Sequence, residues 1–116
     1  MKRVTGAQLD VLEALLSAHR QRVQLHGWEI MRATGRHGPT VYRALDRFAE
    51  AGWLDSEWES ANPVAGKPRR KFYTLTPTGA QAVVAVLRER RPQALRRRPR
   101  PAPGLGGVSG GGLEAR

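Results

Sequence analysis

The chain has no cysteine, which removes disulfide staples, thiolate nucleophiles and every cysteine-based zinc or iron–sulfur site together. Long hydrophobic runs are also missing. No apolar stretch nears the ~20 residues that a membrane-spanning helix needs, so no integral membrane protein is expected. Met1 to Gln8 lead directly into an amphipathic pattern with Asp10 and Glu13, without the apolar segment of a secretory signal, and the expected location is the cytoplasm. His19, His26 and His37 have no carboxylate or second histidine at metal-ligand spacing, so neither metal nor cofactor is expected. Phosphate-cradling Gly-Lys-Ser/Thr loops and Gly-x-Ser-x-Gly elbows are absent, which argues against an enzyme. Asp55, Glu57 and Glu59 read as the solvated face of a strand rather than a paired-carboxylate site.

Acidic residues are scarce. Ten Asp and Glu stand against twenty Lys and Arg, a net charge of +10 in 116 residues, and such an excess suits a polyanionic partner. Residues 1–87 hold twelve basic and eight acidic side chains, net +4, whereas residues 88–116 hold eight Arg and two Glu, net +6. The hydrophobic share of 40% and the 6% of aromatics suffice for one core and not for two.

Leu9, Leu12, Leu15 and Leu16 follow helical spacing, and Thr5 with Gln8 has the spacing of a capping box, which predicts helix one over roughly residues 6–19. A second, short helix is read in Leu25 to Thr34, ending at Gly35. Pro39 opens helix three, whose Val41, Leu45 and Phe48 form an apolar stripe that stops at Gly52. Residues 53–60 alternate like a strand and residues 70–75 form a second one, joined by an Asn-, Pro- and Gly-containing loop. Thr76 and Pro77 then start helix four, which Pro92 ends or kinks. The expected division is a folded domain over 1–92 and a disordered tail over 93–116, first rich in Arg and Pro and then in Gly. The fold class is mainly α with a small β-hairpin: a winged helix-turn-helix of three core helices, a wing and a C-terminal helix.

Four motifs in this order sharpen the reading. Gly27-Trp28-Glu29-Ile30, Pro39-Thr40-Val41-Tyr42-Arg43-Ala44-Leu45, Glu50-Ala51-Gly52-Trp53-Leu54 and the segment from Gly66 to Gly79 together resemble the PadR family of bacterial transcription regulators. The resemblance covers roughly residues 8–90. It implies a DNA-binding repressor, usually a homodimer, whose third helix enters the major groove and whose wing follows the phosphate backbone or the minor groove. By that resemblance Thr40, Tyr42, Arg43 and Arg47 face DNA from helix three, and Lys67, Arg69, Arg70 and Lys71 from the wing. Ala80, Val83, Val84 and Leu87 share one face of helix four and are the expected dimer contact.

Helix three supports part of this independently. With Val41, Leu45 and Phe48 inward, Thr40, Arg43, Asp46 and Arg47 point mainly outward and Tyr42 lies at the border. An outward Arg can bond two acceptors of a guanine edge, and a Thr or Tyr hydroxyl can reach a phosphate. Arg96, Arg97, Arg98 and Arg100 are expected to make nonspecific nucleic-acid contacts from the tail. Trp28 and Trp53 read as core, and Trp58 as a domain-edge residue. An aromatic small-molecule effector is conceivable but not assigned. The competing function is a winged-helix module that binds another protein, with the basic tail as a nonspecific tether.

Overall fold

The computed structural model describes residues 3–59 and 69–96. Its elements are α1 (Gly6–Gln21), β1 (Leu25–His26), α2 (Gly27–Thr34), α3 (Gly38–Glu50), β2 (Leu54–Trp58), β3 (Lys71–Leu75), α4 (Pro77–Arg90) and α5 (Pro92–Arg96). Each boundary has a local cause. Thr5 Oγ1 accepts from the Gln8 amide at 3.1 Å and Gln8 Oε1 accepts from the Thr5 amide at 3.0 Å, so the predicted capping box closes. Gly35 ends α2 at φ +72°, in the left-handed region that a Cβ disfavours. Thr76 caps α4 by accepting from the Gly79 amide at 2.8 Å, and Pro77 takes the first helical position where its missing N–H costs nothing.

The helices enclose one apolar core, in which Leu12, Leu15, Ile30, Val41, Leu45, Phe48, Val83 and Leu87 are essentially without solvent contact. The Trp53 indole lies flat on Phe48, with centroids 5.5 Å apart and planes 6° from parallel. Gly79 lets the start of α4 close against the Trp53 carbonyl, where a Cβ would collide with backbone. The two ends of the described chain are tied by charge. Arg91 donates to Asp10 Oδ1 at 2.7 Å and to Glu13 Oε2 at 2.6 Å on α1, and Arg36, from the turn before α3, donates to Asp10 Oδ2 at 2.9 Å.

The winged helix-turn-helix is therefore present, with three differences from the sequence expectation. Leu25 and His26 are not the start of helix two: they form β1, which pairs antiparallel with β3 in the register Leu25↔Tyr73 and His26↔Phe72. The wing is thus part of a three-stranded sheet of order β1-β3-β2 rather than a two-stranded hairpin. Helix one continues two residues further, to Gln21. The chain also stays folded past Pro92, because α5 carries Leu95 back against the core.

Candidate nucleic-acid interface

Because Val41, Ala44, Leu45 and Phe48 are buried, α3 turns Tyr42, Arg43, Asp46 and Glu50 outward. Arg43 is exposed at the centre of that face and makes no hydrogen bond or ion pair among the described residues. Thr40 lies beside it, its hydroxyl 3.1 Å from His37 Nδ1. Tyr42 is 44% exposed, and its hydroxyl end rests on Gly27, leaving no room there for a Cβ. The glycine at the head of α2 thus makes room for the Tyr42 ring of α3.

Arg47 departs from the expectation. Its guanidinium turns toward the start of α1, where it donates to Gln8 Oε1 at 2.5 Å and to the Arg3 carbonyl at 3.3 Å. It is half-buried and engaged within the protein, because a long side chain at that position reaches the carbonyls ahead of the first helix.

The wing brings its described cations to the same side of the molecule. Arg69 and Arg70 are exposed and Lys71 is half-buried, whereas Lys67 lies outside the described residues. The Arg70 amide donates to Glu59 Oε1 at 2.7 Å, and its guanidinium lies 3.4 Å from His26 Nε2. The Lys71 ammonium sits over two rings, 5.5 Å from the Trp58 centroid and 5.9 Å from that of Tyr73. Between α2, α3 and the wing runs an open groove of about 560 Å³ whose walls include Trp28, Tyr42, Trp58, Arg70, Lys71 and Tyr73.

Trp28 corrects a second expectation. It is 55% exposed rather than in the core, because Ile30 and Glu29 occupy the inward positions of α2. Arg32, one turn on, lies over its ring at 4.9 Å, and the i, i+4 spacing of Trp28 and Arg32 was the sequence signal for this shared outward face. The His26 ring stacks on Trp28 at 6.2 Å and meets Phe72 edge-on at 5.8 Å. Burial pushes the His26 imidazole below its usual value, Arg70 adds to that, and Glu29 and Glu59 oppose it. Burial, together with Tyr42 and Asp46, raises the Tyr73 phenol.

The expected dimer face is divided. Val83 and Leu87 are 0% and 1% exposed and are consumed by the core, so they cannot meet a partner; Ala80 and Val84 are half-buried at its margin. In the tail, Arg96 is exposed on α5, and Arg97, Arg98 and Arg100 lie outside the described residues. Among the described residues no helix is long and apolar enough to cross a membrane, and no three metal-ligating side chains cluster.

Comparison with known proteins places this arrangement. A search of curated proteins finds no match. Among solved structures, smu.1704 from Streptococcus mutans UA159 is 21% identical with a TM-score of 0.57, and the alignment covers 100% of both chains. The MepR–DNA complex from Staphylococcus aureus gives 26% identity and a TM-score of 0.58, covering 80% of this chain and 62% of MepR. A PadR family transcription regulator from Clostridium difficile R20291 gives 22% and 0.53, covering 73% of this chain and 92% of that one. The sequence profile of the transcriptional regulator PadR-like family matches residues 15–85. That span runs from the middle of α1 through the turn, α3 and the wing into α4, more than half of the chain, and the protein belongs to the PadR-like family of transcriptional regulators.

Proposed function

We propose that this regulator recognises a specific operator in double-stranded DNA, as a homodimer, and represses transcription by competing with polymerase. The observation that carries the reading is Arg43: an exposed guanidinium with no partner among the described residues, at the centre of the outward face of α3 and flanked by Tyr42 and Thr40. Arg at such a site bonds a guanine edge, and neighbouring hydroxyls fix register on phosphates. Lys71, paired with Trp58, and Arg70, whose backbone exchanges hydrogen bonds with Glu59, supply charge on an ordered part of the wing, which limits the entropy lost on meeting the backbone, and Arg69 adjoins them. A structural neighbour, MepR, is known as a DNA complex, which supports DNA as the partner.

The dimer in this reading forms across α4, with Ala80 and Val84 at the margin of the core. Two related copies then read a near-palindrome whose half-sites lie about one helical turn apart. The deciding experiment is selection of bound genomic fragments by the purified chain, followed by affinity measurements for the selected site and random DNA over a salt series. A regulator prefers the selected site by about 10³-fold or more at physiological salt. Binding that is weak, salt-sensitive and equal for both DNAs rejects operator recognition and favours the protein-interaction module with a tethering tail.

A further inference from the structure

Among the described residues, His26 and Glu29 are the buried polar side chains. They meet where β1 passes into α2. Glu29 Oε1 accepts from the His26 backbone amide at 3.1 Å, and the same oxygen lies 3.4 Å from His26 Nε2. That Nε2 is also 3.4 Å from Arg70 Nη1 of the wing. One ring nitrogen is thus shared by a carboxylate, which accepts hydrogen bonds, and a guanidinium, which only donates them. It serves one at a time. With a lone pair Nε2 accepts from Arg70; with a proton it donates to Glu29, and the imidazolium charge repels Arg70.

The surroundings hold the ring and leave the arginine able to move. His26 is opposite Phe72 in the sheet, and its ring packs on Trp28 and Phe72, whereas Arg70 is exposed and has no carboxylate at ion-pair distance from its side chain among the described residues. The remaining charged and titratable neighbours are already occupied. From the wing, Glu59 accepts from the Arg70 amide and Lys71 lies over Trp58 and Tyr73. Across the sheet Glu57 accepts from Gln24, on α2 Arg32 lies over Trp28, and from α3 the Tyr42 phenol rests on Gly27. Burial and Arg70 act against the proton on His26, and Glu29 and Glu59 act for it.

We propose that His26 is a positioning residue for Arg70: neutral, it holds the wing guanidinium through Nε2, and a proton taken up there commits that nitrogen to Glu29 and frees Arg70 for a DNA phosphate, so that duplex binding tightens as pH falls. The second half rests on the proposed wing contact with DNA but not on operator recognition, since a phosphate contact carries no sequence. The sign follows from linkage. A phosphate that draws Arg70 away raises the proton affinity of His26, so the complex takes up a proton; affinity then rises as pH falls through the bound-state value and levels off below the free one.

The exchange is read first in the free protein, by NMR of the ring nitrogens over a pH titration. Neutral His26 should carry its proton on Nδ1, and its midpoint should rise in Arg70→Gln and fall in Glu29→Gln, where the amide oxygen still caps α2. Circular dichroism melts check that each variant folds. The Kd for a duplex of random sequence is then measured against pH. It should fall about fivefold between about pH 7.5 and pH 5.5 for the wild type, stay flat in Arg70→Gln and His26→Gln, and keep its pH dependence in His37→Gln, whose ring stands by Thr40 on α3. A neutral His26 protonated on Nε2, or a midpoint unmoved in both folded variants, overturns the exchange. A pH dependence lost in His26→Gln but kept in Arg70→Gln reduces the effect to added charge and overturns the release of Arg70. A chain that shows the exchange by NMR but binds no duplex at any pH upholds the hold on Arg70 and rejects the DNA reading instead.

Discussion

Two arginines one turn apart on α3 have different work. Arg43 is free of protein partners among the described residues and Arg47 is bonded to Gln8 and to the Arg3 carbonyl. Arg43→Ala should therefore cost about 1–3 kcal/mol against the operator and relax preference at one base position, with little change in melting temperature. Arg47→Ala should do the reverse, lowering stability by about 1 kcal/mol or more through the lost charged hydrogen bonds while leaving the selected motif intact. Binding-site selection and thermal melts on both variants decide it, and a motif unchanged in Arg43→Ala would remove that residue from the reading surface. The sequence put both arginines outward because apolar periodicity tells which positions face the core and not which outward side chains find a partner. Trp28 escaped for a related reason: bulk and hydrophobicity suggest burial, but α2 has room inside for Ile30 and not for an indole as well.

At the level of elements, the helices were legible because each has its own stop and start signals: the Thr5 and Thr76 caps, Gly35, and Pro77. β1 was not legible, since two residues carry no periodicity and owe their strand conformation to Phe72 and Tyr73, distant in sequence. The junction of α1, α4 and the turn before α3 also depends on distant partners. Burial acts to raise the Asp10 carboxyl, but hydrogen bonds from Arg91 and Arg36, and their charges, outweigh it and hold the group below its usual value. A carboxyl whose folded value is depressed binds protons more readily when unfolded, so its stabilisation is full above the unfolded value and fades as pH falls through the folded one. Asp10→Asn should lower the melting temperature at neutral pH and flatten its acid dependence. Parallel acid limbs for wild type and Asp10→Asn between about pH 5 and pH 2 would show that the junction contributes no such linkage.

For the whole molecule, burial and charge bear on association and on the division of labour between wing and tail. Val84→Glu should shift the proposed dimer toward monomer without unfolding it, because Val84 is half-buried whereas its neighbour Val83 is fully enclosed. Light scattering reads this directly, and a wild type that is monomeric both free and on DNA would reject the dimer. Removing residues 97–116, past the end of α5, should weaken operator and random DNA by similar factors and flatten the salt dependence. Loss of operator preference on truncation would assign the tail a reading role. β3 is bonded on one side to β2 and on the other to β1, so the wing cannot peel away as an isolated hairpin without breaking its link to the corner between α1 and α2. In hydrogen exchange, β3 amides should therefore open only with global unfolding and outward-facing amides of β2 much sooner. A wing anchored in this way has a root as durable as the core.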